Sequence, residues 1–159
     1  MRTPSRQSGV TTVEFAIIGA VVIIMLFAVI EVGRTMFVMN SLNESTRRAA
    51  RLATVCPIND PAIAEVAFLN APGGGTTSRF IAGLAPENFV LEYLDEDGNP
   101  ISDPVGSFLD IHFVRTRIVN YQHQMLIPYL DFIFTTPEFQ TTLRRESLGV
   151  PRDGVVTPC

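Results

Sequence analysis

Residues 10–30 form an apolar run of membrane length that contains a single charge, Glu14. At a rise of about 1.5 Å per residue, a helix over this run would be about 31 Å long, close to the hydrocarbon thickness of a bilayer. A carboxylate at that depth costs roughly 2.5–3.5 kcal/mol unless something compensates for it. We therefore expect a membrane-spanning helix in which Glu14 has a specific role.

The charges that flank the run predict its orientation. Arg2 and Arg6 precede it without any acidic residue. The positive-inside rule then keeps residues 1–9 in the cytoplasm as a leader and exports the remainder. A cleaved secretory signal peptide would need small residues after the run, and the sequence EVGRTMFVMN offers no such site. A plain signal anchor stays open, although it leaves Glu14 unexplained.

The third interpretation is a type IV prepilin, because the sequence GVTTVEFAIIGA resembles the processing region of type IV pilins. Cleavage after Gly9 makes Val10 the new N-terminus and Glu14 the fifth residue of the product. Glycine lacks a side chain and can unwind into a protease cleft. The new amine of Val10 would lie one turn from Glu14, and staggered subunits could pair the two groups. The alternative is a Glu14 near the headgroups that needs no partner.

The helix is predicted to continue beyond the membrane, since no strong breaker precedes Pro57 and Gly33 is only a mild cost. We expect one helix over residues 10–54, with a membrane part at 10–30 and a periplasmic part at 31–54. Glu44 and Arg48 are spaced to pair on its surface. Apolar and small residues recur at intervals of three and four and predict one packing face: Met36, Met39, Leu42, Thr46, Ala49, Ala50 and Ala53.

Three segments of this helix resemble the TadE-like family of pseudopilins from tight-adherence (Tad) pilus systems. They are VEF at Val13–Phe15, IEVGR at Ile30–Arg34 and RRAARLA at Arg47–Ala53. The resemblance implies a non-enzymatic minor pilin that is processed by a prepilin peptidase. It also implies a head exported to the periplasm and assembly with other pseudopilins and the major pilin.

Two readings of the signature residues Glu31, Gly33 and Arg34 remain open. Their charges can mark the point where hydrocarbon ends. Alternatively, the segment packs against a helix of a partner subunit, with Gly33 allowing close approach. The resemblance itself does not choose between them.

The remaining residues, 55–159, are predicted to form a periplasmic head. Asn59 or Asp60 can cap a short helix that begins near Pro61. Alternating patterns predict strands from Phe89, over 108–119 and from Phe139. The expected fold class is α+β, in which the long N-terminal transmembrane helix continues into a small head with a three- to four-stranded antiparallel sheet.

Cys56 and Cys159 are the two cysteines of the chain. In an oxidising periplasm such a pair predicts a disulfide, which would tie the C-terminal tail to the end of the long helix. Free thiols and pairing between subunits are the alternatives.

The sequence gives little support to other functions. The net charge of −4 and the absence of a basic face argue against nucleic-acid binding. His112 and His123 lack partners at metal-ligand spacing, and DEDGN at 95–99 fits a hairpin turn better than a calcium loop. We therefore predict no enzyme, metal, cofactor or small-molecule substrate. The expected location is the inner membrane, as a single-pass protein that can enter the pilus. The runner-up function is a signal-anchored periplasmic binding or sensor domain without a fibre role.

Overall fold

The computed structural model describes residues 8–126, 132–150 and 155–159. Arg2 and Arg6 of the predicted leader lie outside these residues. The described chain consists of a long helix, a short helix and two antiparallel sheets, which confirms the predicted fold class. The helices are α1 (Ser8–Val55) and α2 (Pro61–Ala67), and the strands are β1 (Phe89–Leu94), β2 (Phe113–Ile118), β3 (Gln122–Gln124), β4 (Ile133–Thr135) and β5 (Phe139–Arg144).

The second half of α1 is the platform of the head. Small side chains at Ala49 and Ala53 are completely buried and let the sheet approach the helix closely. The predicted packing face is correct from Leu42 onward, but Met36 is exposed and Val38 takes the buried position instead. The prediction that Met36 is buried is wrong, because at that level the head covers the neighbouring side of the helix, where Val38 lies.

The main sheet has the order β1–β2–β5 and is antiparallel throughout. Val114, Thr116 and Ile118 of β2 face the helix and are buried. Thr116 Oγ1 donates a hydrogen bond of 2.8 Å to the carbonyl oxygen of Thr46, so a polar contact joins sheet and helix inside the core. On the opposite face, Arg115 binds Glu92 of β1 at 2.7 Å.

The predicted strand over 108–119 is too long at its start. Phe108–Asp110 forms a turn of 3₁₀-helix, and the strand begins only at Phe113. The reason is the partner strand: β1 ends at Leu94, where Asp95–Gly98 turns the chain away. His112 still bonds across the sheet, with its N–H to Leu94 and its carbonyl from Arg145. The backbone groups before it lack a facing strand and bond locally, as the Asp110 N–H does to the Ser107 carbonyl at 3.0 Å.

The tail closes the far end of the head. Backbone N–H groups of Leu148 and Gly149 donate to the carbonyls of Thr54 and Val55 at 3.1 and 2.6 Å, which satisfies the last turn of α1. A disulfide joins Cys56 to Cys159 within the chain, across a sequence separation of 103. In α2, the Asp60 side chain accepts from the Ala62 N–H at 2.9 Å, as expected of an N-cap.

Candidate functional site: the exposed helix and its junction with the head

No described part of the chain covers the first half of α1. This half belongs to the one described helix that is long and apolar enough to cross a membrane, and its most apolar window is entirely unburied. Large side chains such as Phe15 and Ile30 are 77% and 64% exposed. An apolar surface of this extent is not stable in water, so the segment needs lipid or other helices around it.

Glu14 lies on this exposed surface. Val10, Val13, Glu14 and Ile17 border the same shallow concavity on one side of the helix. The backbone nitrogen of Val10 and the Glu14 carboxylate therefore belong to one face, one helical turn apart. Gly9 lies near the start of α1 and is exposed, and no atom of the described residues lies within 4 Å of the position that a Cβ would take.

At the other end of the apolar run, Glu31 is only 5% exposed because the β3–β4 hairpin covers it. Arg34 Nη2 donates to Glu31 Oε1 at 2.7 Å, and the backbone N–H of Leu126 donates to Glu31 Oε2 at 3.3 Å. Arg34 also donates to the carbonyl of Gln124. We call Glu31, Arg34, Thr35 and His123 the junction cluster, because these four residues fasten the hairpin to α1.

His123 occupies the centre of the junction cluster and is 1% exposed. Its Nε2 lies 3.4 Å from Glu31 Oε1 and 3.3 Å from Thr35 Oγ1. The Phe134 ring of β4 packs against the imidazole with 5.2 Å between ring centroids. Nδ1 of His123 has no hydrogen-bond partner among the described residues.

The electrostatics of the cluster favour a charged Glu31. The bond from Arg34 is the main cause that lowers the pKa of this carboxyl, and the Leu126 amide acts in the same direction. Burial opposes them by raising the pKa, without reversing the outcome. Glu31, the first residue after the apolar run, therefore supports the fold in its charged form.

The structure brings the signature residues to different places. Glu31 and Arg34 hold the hairpin within one chain, a role that sequence reasoning missed. Gly33 is exposed, and no atom of the described chain lies within 4 Å of its Cβ position, so its surface is available to a neighbour. Glu44 and Arg48 form the predicted surface pair at 2.8 Å.

The sequence signal for the hairpin is the short run Gln122–Gln124, in which the buried His123 lies between two exposed glutamines. This alternation is too short to identify a strand.

Ser107, Asp110 and His112 border a shallow polar depression together with the acidic turn at 95–97. Among the described residues, no group of three or more His, Cys, Asp or Glu could hold a metal ion. Asp95 instead caps its own turn by accepting from the Asn99 N–H at 2.8 Å. This depression has the features of a solvated loop.

The fold and the exposed helix define a class: a protein with one apolar helix that is long enough to cross a membrane and a small α+β head. Within that class, a family model described as TadE-like protein matches residues 9–51, so the similarity covers most of α1. This match confirms the resemblance predicted from the sequence, and the family is a structural, non-enzymatic one. Neither a search of curated proteins nor one of solved structures found a significant match.

Proposed function

We propose that this chain is a minor pilin, or pseudopilin, needed for assembly of a Tad-type adhesive pilus. The observation that carries the proposal is the uncovered apolar half of α1, which bears one carboxylate near its start and lies inside the family match. A helix that only anchors a domain has no use for Glu14. A helix that exchanges lipid for neighbouring helices does.

In this proposal a prepilin peptidase cleaves between Gly9 and Val10. The segment fits the task, since Gly9 lies at the helix start and is exposed. Removal of the leader creates an amine at Val10, on the face that carries Glu14. The head lies in the periplasm, because the basic leader stays in the cytoplasm.

Assembly then moves α1 sideways out of the bilayer and into a bundle with other pseudopilins and the major pilin. Contacts with helix side chains replace contacts with lipid, at little cost in hydrophobic free energy. Glu14 gains most from the exchange, because a neighbour's Val10 amine neutralises it. An unpaired carboxylate would remain costly in either apolar environment.

The test compares Glu14→Gln and Glu14→Ala with Glu44→Gln. The control alters an exposed carboxylate in the second half of the same helix, which carries the head. All three variants should reach the membrane in normal amounts. Only the Glu14 variants should be depleted from the purified pilus fraction, since they alone lose the partner of the amine. Equal recovery of all three in pili would refute the role of Glu14.

A further inference from the structure

The end of the β3–β4 hairpin carries three large apolar side chains that the head leaves uncovered. Leu126, Phe132 and Ile133 are 66%, 62% and 57% exposed. The backbone holds them together: the Met125 N–H donates to the Phe132 carbonyl at 2.9 Å, and Gln124 pairs with Ile133. We call Leu126, Phe132 and Ile133 the hairpin patch.

The course of β3 places this patch beside the membrane segment. Tyr121 packs in the same core cluster as Val38, and His123 reaches Thr35. The next contacts lie further toward the N-terminus of α1, first from Gln124 to Arg34 and then from Leu126 to Glu31. Each step along β3 is thus a step along α1 toward the apolar run.

The patch is therefore level with the first residues after the apolar run. The helix is itself apolar and uncovered on both sides of Glu31, since Ile30 and Val32 are 64% and 57% exposed. The charges beside it neutralise each other, because Glu31 and Arg34 form an ion pair at 2.7 Å. At this level the surroundings are headgroups and the upper acyl chains, where aromatic and aliphatic side chains are stable.

We propose that the hairpin patch inserts into the interfacial layer of the bilayer on the head's side, as a second membrane contact next to α1. The occupant of the patch is lipid. It lies beside the end of the exposed membrane helix, and the junction cluster attaches it there through Glu31 and Arg34. This inference rests on the anchoring of α1 in the bilayer and is independent of the pilus role.

The chain has no tryptophan, so a single introduced tryptophan reports on one position. Phe132→Trp and Leu126→Trp probe the patch in the full chain, reconstituted in vesicles of phosphatidylethanolamine and phosphatidylglycerol. A fraction of the lipid carries bromine in the upper part of its acyl chains and quenches nearby indoles. Leu109→Trp is the matched control, because Leu109 is 79% exposed and lies beside Ile111, which packs on the far end of α1. Phe27→Trp reports on anchoring itself.

We expect blue-shifted emission and quenching by brominated lipid for both patch variants, and neither effect for Leu109→Trp. Quenching of Phe27→Trp with solvent-exposed, unquenched tryptophans at 126 and 132 would overturn the proposal while leaving the anchor intact. A blue shift at the patch that develops only after sibling pseudopilins are added would also overturn it, since the occupant would then be protein. If Phe27→Trp is not quenched, the anchoring of α1 fails, and the proposal fails with it.

Discussion

The carboxylate of Glu31 accepts a hydrogen bond from the backbone N–H of Leu126 at 3.3 Å, across 95 positions of sequence. This bond joins the point where the helix leaves its apolar run to the hairpin that extends down toward it. Arg34 completes the attachment from the next turn of α1. Two charged residues of the family-matched segment therefore fix where the hairpin sits on the helix.

Loss of Glu31 should release the hairpin. Glu31→Ala removes the acceptor of the Leu126 amide and leaves Arg34 with only the Gln124 carbonyl. A hydrogen bond of this kind contributes about 0.5–1.5 kcal/mol. Amide hydrogen exchange of the full chain in micelles should show faster exchange at Met125, whose N–H bonds across the hairpin. Glu44→Ala serves as the control and should leave that amide unchanged. Unchanged exchange in both variants would mean that the ion pair does not hold the hairpin.

The lowered pKa of Glu31 predicts how this attachment responds to acid. The folded state favours the charged carboxylate, so its pKa lies below that of the unfolded chain. The contribution to stability is then complete above the ordinary glutamate pKa and disappears as the pH falls through the lowered folded value. Protection of the Met125 amide should decline over that acidic range.

Two variants test whether the Glu31 carboxyl itself causes this decline in protection. Glu31→Gln should flatten the acidic decline, because the amide does not titrate. His123→Gln removes the imidazole that faces the same carboxylate and should keep the decline. An acid profile that is identical in wild type and Glu31→Gln would contradict the assignment.

The disulfide should contribute strongly to the stability of the head. A bond between Cys56 and Cys159 closes a loop of about 100 residues, which in the chain-entropy model is worth up to about 4.7 kcal/mol. Cys159→Ser should lower the free energy of unfolding by up to that amount, as measured by denaturant titration in oxidising buffer. The double variant Cys56→Ser/Cys159→Ser should match the single one. A reductant that destabilises Cys159→Ser further would show that another bond is involved.

Gly149 should tolerate substitution worse than a glycine of the same backbone class. Its φ is +81°, and an added Cβ would lie 2.7 Å from the Pro57 nitrogen. Gly98 has a φ of +84° with nothing within 4 Å, so it separates backbone strain from the clash. We expect Gly98→Ala to cost about 1 kcal/mol and Gly149→Ala about 2–4 kcal/mol in thermal or chemical unfolding. Equal costs for the two substitutions would mean that the tail moves away from the added methyl group without a loss of stability.

The long helix and the main sheet could be predicted because their signals are local. Spacings of three and four identified the buried face from Leu42 to Ala53, and alternation identified β1, β5 and most of β2. The start of β2 could not be predicted, since it depends on where β1 ends. Leu94 is the last paired residue of β1, and nothing near Phe108 records that fact.

The junction cluster is beyond local sequence reasoning for a related reason. β3 has three residues, and its stability depends on Glu31 and Arg34, about 90 positions earlier. The sequence left two readings of these charges, the edge of the membrane or a contact with another subunit. In the structure Glu31 and Arg34 bind the chain's own hairpin, a contact that is compatible with the first reading, and Gly33 is exposed.

The central claim is that this chain is processed as a prepilin and enters the fibre by its exposed helix. Mass spectrometry of its N-terminus, in strains with and without the prepilin peptidase, tests that claim most directly. We predict a mature chain that starts at Val10 when the peptidase is present and an unprocessed chain when it is absent. A chain that starts at Met1 or Arg2 in both strains and does not occur in purified pili would contradict the account.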